Sequence, residues 1–255
     1  MDRLTDKVIL ITGATGIGAA TARMAAQEGA RVFIAALVAM ECEALAKELG
    51  GGWHAGDLSE EANAVAAVQL CIERFGRVDG VFNVAGISGR RFGDGPLHEC
   101  TVEGWDKLMA ANVRSLFLVS RQSVRHMLER DEGGAIVNMS SVLADSPEPQ
   151  FFATHAYAAS KGAIEALTRS SAAFYAKSRI RINAIAPGLV ETPMSRRAQD
   201  NEEICAFIRS KQPLARGFLA PEDITSTVVF LLSDESQFMT GEVLTVDGGW
   251  RFGGR

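Results

Sequence analysis

Short β-rich, mostly apolar runs recur along the chain at 7–12, 31–36, 52–55, 78–83, 134–139, 181–186 and 242–246, most of them beside small, glycine-rich or acidic turn residues. The stretch Val8-Ile9-Leu10-Ile11 has no polar position, as a strand covered on both faces requires. Between the runs, apolar residues return at three- and four-residue spacing over 17–28, 41–49, 63–75, 105–129, 157–177 and 221–232, which predicts helices. Strand–helix alternation with crossovers of this length predicts a doubly wound α/β fold, a seven-stranded parallel sheet with helices on both faces. No linker, repeat or composition shift divides the chain, so residues 1–255 read as a single domain. Residues 192–217 break the rhythm with a polar stretch of mixed charge. An excursion after a strand's carboxyl end lies near the ligand crevice of such folds, and reads either as a substrate lid or as a variable surface loop.

Composition narrows the function. With 47% hydrophobic and 22% charged residues the chain carries a core's worth of apolar material. Its 26 basic against 31 acidic residues leave a charge of −5, which gives no electrostatic reason to bind nucleic acid or an anionic membrane. Cys42, Cys71, Cys100 and Cys205 lie far apart, and His54, His98 and His126 form no metal spacing; neither a disulfide framework nor a metal site is expected. The apolar run near the N-terminus is too short for a signal or spanning helix, and a cytoplasmic location is expected.

Two motifs carry chemistry. Thr12-Gly13-Ala14-Thr15-Gly16-Ile17-Gly18 sits between the first strand and the first helix. Glycines there let the backbone turn sharply beside a pyrophosphate, and the helix-start amides attract its charge; the same turn also serves as a tight connection that binds nothing. Lys161 follows Tyr157 by one helical turn, so both side chains share a face. A nearby ammonium favours phenolate, and a phenol brought down from about 10 toward neutrality can exchange a proton as a ketone takes up hydride.

These motifs occur in order with Asp57-Leu58, Asn83-Val84-Ala85-Gly86, Asn112, Asn138-Met139-Ser140-Ser141, Tyr157-Ala158-Ala159-Ser160-Lys161, Pro187-Gly188-Leu189-Val190-Glu191-Thr192 and Val246-Asp247-Gly248-Gly249. In that order the chain resembles the short-chain dehydrogenase/reductase family, in its single-domain branch of about 250 residues. The resemblance implies a Rossmann-type fold and an oxidoreductase that moves a hydride between NAD or NADP and a small secondary alcohol or its ketone. It implies that Gly13, Thr15, Gly16, Ile17 and Gly18 hold the pyrophosphate, Asp57 and Leu58 the adenine, and that Asn83, Ala85 and Gly86 belong to a motif that stabilises the central sheet and lines the nicotinamide ribose. Pro187, Gly188, Val190 and Thr192 would fix the carboxamide and phosphate. Tyr157 would be the general acid/base, Lys161 its partner and a ribose ligand, Ser141 the substrate-orienting hydroxyl, and Asn112 the holder of a relay water. A homotetramer packed through the helices around 105–129 and 157–177 is also implied.

Several positions depart from the family pattern. Only Ala14 and Thr15 separate Gly13 from Gly16, one residue fewer than the family turn has, so the turn must tighten or borrow a residue from a neighbouring element. Ala36, followed by Leu37, stands where NAD-preferring relatives place an aspartate, and neither Thr15 nor Leu37 offers a basic group for a 2′-phosphate; the balance tips slightly toward NAD. Tyr157 follows Ser141 by sixteen positions, more than is usual, and Phe151 and Phe152 in that interval could wall the substrate, pack under the loop or meet another subunit. Arg90, Arg91, Arg196 and Arg197 read either as ligands for a substrate carboxylate or phosphate or as solvated loop residues. Asp57 also suits a helix-capping role, and Asn112 that of a buried amide satisfied by helix backbone. The short turn and Ala36 keep open a second reading, a catalytically silent dinucleotide-fold protein acting as a binding or scaffolding module.

Overall fold

The computed structural model describes residues 2–253. Seven strands, β1 (Val8–Ile11), β2 (Arg31–Ala36), β3 (Gly52–Ala55), β4 (Gly80–Asn83), β5 (Gly134–Met139), β6 (Ile180–Pro187) and β7 (Val243–Val246), form one sheet in the order β3-β2-β1-β4-β5-β6-β7. Every pairing is parallel. The chain winds outward in one direction from β1 and in the other from β4, so the crevice opens at the carboxyl ends of these two neighbours. The strands expected from the sequence are all present, three with the expected bounds and four with one or both ends shifted by one or two residues.

The helices are α1 (Gly16–Gln27), α2 (Ala39–Leu49), α3 (Glu61–Phe75), α4 (Val102–Leu108), α5 (Ser115–Arg130), α6 (His155–Tyr175), α7 (Arg196–Gln199), α8 (Glu202–Lys211) and α9 (Pro221–Leu232). β1 explains its own sequence. Ile9 and Ile11 enter a core shared with α1 and α9, through Ala22, Ala25, Val228 and Leu232. Val8 and Leu10 enter the opposite core with Ala64, Val68 and Cys71 of α3 and Val119 and Met127 of α5. Both faces are covered, hence no polar position survives.

The single helix expected over 105–129 is interrupted. α4 and α5 are joined by a π-helical turn, Met109–Arg114, whose extra residue resets the face that Asn112 presents. Residues 192–217 contain the 3-10 turn Pro193–Ser195 followed by α7 and α8. The fully buried Gln212 holds the ends of this excursion together, accepting from the Leu189 amide and donating to the Leu189 carbonyl at 3.2 Å and the Gly217 carbonyl at 2.7 Å. A third, smaller core of Val142, Ala198, Ile204, Ile208 and Trp250 lies off the sheet and joins α7 and α8 to the loop after β5. Among the described residues no helix is long and apolar enough to cross a membrane, and no three potential metal ligands cluster.

Candidate active site

Thr15 is extended and Gly16, the first helical residue, takes φ +51°, a left-handed conformation that favours glycine. A Cβ on Gly18 would lie 2.5 Å from the Gly13 carbonyl oxygen, so α1 starts directly against the end of β1. A Cβ on Gly16 would meet the Thr192 methyl at 3.0 Å, which places the turn against the segment that follows β6. No side chain caps α1 and its first turn holds no acid. The partial positive charge of those amides is left uncompensated by the protein, and the donor set fits a pyrophosphate.

Thr12, to which sequence reasoning gave no role, ties this turn to the next strand. Its hydroxyl oxygen accepts the Val84 and Ala85 amides at 3.0 and 3.2 Å, fixing the start of the segment that reaches Gly86. Asn83 turns inward: its amide donates to Ser120 and to Asn138, both at 2.9 Å, and Asn138 donates to Thr168. It therefore supports the sheet rather than facing the crevice. At the β3 end, Asp57 is exposed while its carboxylate accepts the Ser59 amide at 2.9 Å; Leu58 is buried in the core with its side chain inward. Asp57 therefore closes a local turn and does not cap α3, whose cap position is Glu60.

The proton-handling groups gather beyond β4 and β5. Gly86 permits the closest approach, since a Cβ there would stand 3.0 Å from Asn112 Oδ1 and 3.8 Å from Lys161 Nζ. Asn112 is fully buried, accepting the Ile87 amide at 2.8 Å and donating to the Ile87 carbonyl at 3.2 Å and Ser160 Oγ at 3.1 Å. Its partners come from the β4 loop and α6, not from its own helix. Ser140 and Ser141 divide. Ser140 donates to buried Glu165 at 2.9 Å, whereas Ser141 lies within hydrogen-bond reach of the Tyr157 phenol and also accepts the Leu143 amide.

Lys161 is 3% exposed, donates to the Met139 carbonyl at 2.8 Å, and holds its Nζ 5.5 Å from the centre of the Tyr157 ring. Burial pushes this amine down from 10.5 to about 8. Burial pushes the Tyr157 phenol up, and the Ser141 hydrogen bond opposes that rise. The fall toward neutrality expected of the phenol beside the ammonium and a bound coenzyme is thus not a property of the coenzyme-free site. In the coenzyme-free protein the amine is engaged by a carbonyl, desolvation prevails, and the phenol keeps its proton.

Tyr157 is positioned from a distance. The buried Asp94 carboxylate, in the loop after β4, accepts the Ala156 amide at 2.9 Å and the Tyr157 amide at 3.1 Å, capping α6 from outside its own sequence. The Gly95 carbonyl accepts the His155 amide at 3.2 Å. Phe151 and Phe152, both half-buried, pack against the β6 excursion and the C-terminal turn: Phe151 lies tilted on Phe207 (5.2 Å) and Phe152 meets Trp250 edge-on (5.8 Å). After β6, the Gly188 amide bonds the Val246 carbonyl at 3.0 Å, Val190 is buried, and the Thr192 amide donates to Ser195 Oγ at 3.1 Å. Thus Gly13–Gly18, Gly86, Asn112, Ser141, Tyr157, Lys161 and Pro187–Thr192 converge at one sheet edge, with Asn83 behind it and Asp57 at its periphery.

Known proteins share this arrangement over almost its whole length. A family profile described as Enoyl-(Acyl carrier protein) reductase matches residues 12–251. The 2-(S)-hydroxypropyl-CoM dehydrogenase 3 of Xanthobacter autotrophicus is 39% identical over 258 residues, covering 97% of this chain and 98% of that protein. The 3-oxoacyl-(acyl-carrier-protein) reductase FabG of Thermotoga maritima is 35% identical, with 97% and 98% covered. Among solved structures, levodione reductase superposes with a TM-score of 0.89 at 34% identity, covering 98% of this chain and 99% of that one. A 3-ketoacyl-(acyl-carrier-protein) reductase from Brucella melitensis, complexed with NADH, gives 0.88 at 31% identity, with 98% and 100% covered. With the profile, the relatives and the strand order agreeing from end to end, the chain belongs to the short-chain dehydrogenase/reductase family.

Proposed function

We propose that this protein is a nicotinamide-dependent oxidoreductase interconverting a secondary alcohol and its ketone, with NAD preferred over NADP. The observation that carries the reading is the meeting of the uncapped α1 start with Ser141, Tyr157 and Lys161 at the carboxyl edge of neighbouring strands. The names of the relatives, dehydrogenases and ketone reductases, and the NADH bound by one structural neighbour support it.

A bound nicotinamide supplies or accepts the hydride. The α1 amides, with Gly13, Thr15, Gly16, Ile17 and Gly18, hold its pyrophosphate, while Asp57 and Leu58 border the adenine. Ala85 and Gly86 line the ribose, and Pro187, Gly188, Val190 and Thr192 orient the carboxamide. Ser141 donates to the substrate oxygen, and Tyr157 Oη gives up its proton as negative charge develops there. Lys161 stabilises the resulting phenolate and contacts the ribose hydroxyls; Asn112 holds a water that returns a proton toward Lys161. Ala36 and Leu37 offer a 2′-phosphate no cation, which favours NAD. The 192–217 excursion covers the substrate. The enzyme acts in the cytoplasm as a homotetramer, in keeping with the exposed Phe117 and Phe174 on α5 and α6.

The silent-scaffold alternative is weakened by the uncapped amides and by the intact Ser141–Tyr157–Lys161 group. Energy transfer from tryptophan to NADH and NADPH, followed by a turnover screen of ketones and secondary alcohols, tests the reading. Saturable binding with NADH tighter and turnover of a ketone are expected. No binding of either coenzyme at millimolar concentration refutes it.

A further inference from the structure

Three loops that leave consecutive carboxyl ends of the sheet meet at one carbonyl oxygen. Arg90, after β4, donates to the Phe151 carbonyl at 2.7 Å, and Arg197, in α7 after β6, donates to the same oxygen at 3.0 Å. Phe151 itself lies between β5 and Tyr157. The Arg197 guanidinium also sits 5.7 Å from the centre of the Phe152 ring. Two cations thus share one neutral acceptor.

Neither arginine forms an ion pair among the described residues. Three nearby acids are engaged elsewhere: Asp145 pairs with Arg251 at 2.7 Å, Glu148 accepts the Gln150 and Phe151 amides, and Asp94 accepts the Ala156 and Tyr157 amides. Burial and the Arg90 charge both push Arg197 below the ordinary arginine range. Each guanidinium carries five N–H donors, and the shared carbonyl takes one from each. The remaining donors belong to two exposed side chains brought together at the Phe151 carbonyl, on loops that leave the same edge of the sheet as Tyr157, and a single oxyanion can be gripped by both.

We infer that Arg90 and Arg197 form an oxyanion subsite, selecting alcohols and ketones that carry a carboxylate, sulfonate or phosphate away from the reacting carbon. The inference rests on the oxidoreductase reading for its substrate, but the subsite has its own readout. Trp250 is buried against Phe152, over which Arg197 lies, so with Trp53 and Trp105 replaced by phenylalanine in every protein titrated its emission reports on the pair.

The coenzyme-free protein is titrated with propane-1-sulfonate, butyrate and propyl phosphate while tryptophan emission is followed. Saturable change with at least one is expected, weakened by ~10-fold or more in Arg90→Gln and Arg197→Gln and partly retained in Arg197→Lys. The three arms identify which oxyanion fits. In a second arm, kcat/KM is compared for a neutral ketone and an isosteric ketone bearing the preferred anion. The variants should lose ~10-fold or more on the anionic ketone and less than about 2-fold on the neutral one. If none of the anions binds and the wild type shows no preference, or if the variants slow both ketones alike, the pair is a latch between loops and the subsite is refuted. If the anion binds through these arginines but no ketone turns over with either coenzyme, the subsite stands and the oxidoreductase reading falls.

Discussion

Replacing Lys161 by methionine should stabilise the coenzyme-free fold while destroying its activity. The amine is 3% exposed and burial lowers it from 10.5 to about 8. At about 1.4 kcal/mol per pH unit, holding this group charged in the folded state near neutrality costs about 3 kcal/mol relative to the unfolded chain. Methionine fills similar volume with an apolar stem, but the Met139 carbonyl loses the donor it has at 2.8 Å, a loss of about 1 kcal/mol. The net gain at pH 7 is about 2 kcal/mol, or about 4–8 °C in Tm for a chain of this size.

The pH dependence separates this cause from mere repacking. Between about 8 and 10.5 the unfolded lysine binds more protons than the folded one, so the wild type gains stability as pH rises through that window. Lys161→Met lacks the titration, and its advantage should shrink to near zero at pH 10. Urea denaturation of both proteins at pH 7 and pH 10 measures the two gaps, and all other titrating groups cancel in the difference. A variant less stable than wild type at pH 7, or a gap equal at both pH values, would refute a desolvation penalty at this site.

Tyr157→Phe should lower kcat by ~10³-fold while NADH affinity, read by fluorescence titration, changes by less than about 2-fold, because only the proton donor is removed. Asp94→Ala strips two amides at the start of α6 of their acceptor; a loss of about 1–2 kcal/mol in urea denaturation is expected, with a lower kcat as the Tyr157 backbone loosens. Gly16→Ala forces a side chain into φ +51° against the Thr192 methyl and should cost about 1–2 kcal/mol. Coenzyme affinity should fall with it, and unchanged NADH binding would count against a role for this turn.

The sheet was legible because its information is local. A strand covered by helices on both faces must be apolar at every position, and Val8–Ile11 announces that in four letters. The Tyr157–Lys161 pairing was legible for the same reason, since four residues on a helix define one face. The π-turn at Met109–Arg114 was not, because its residues carry an ordinary helical periodicity. What selects it is the pair of bonds between Asn112 and Ile87, residues 25 positions apart. How closely α1 presses against the Gly13 carbonyl, an approach that glycine at position 18 permits, was not readable from the spacing of the turn.

The parts that sequence reasoning missed share one property: their partners lie in other loops. Asp94 looks like a turn residue between two glycines, yet its carboxylate serves a helix that begins some sixty residues later. Thr12 looks like the end of a strand and acts on Val84 and Ala85. Gln212 closes an excursion whose ends are Leu189 and Gly217. Phe151 and Phe152 could be placed in no setting until Phe207 and Trp250 were brought to them. Each such contact joins loops that leave the same edge of the sheet. The strand order determines which loops meet, so these contacts become readable only after the topology is known. Chemistry common to the family therefore resides in short, local motifs, whereas the part of the site that distinguishes one substrate from another is assembled between loops that no local pattern links.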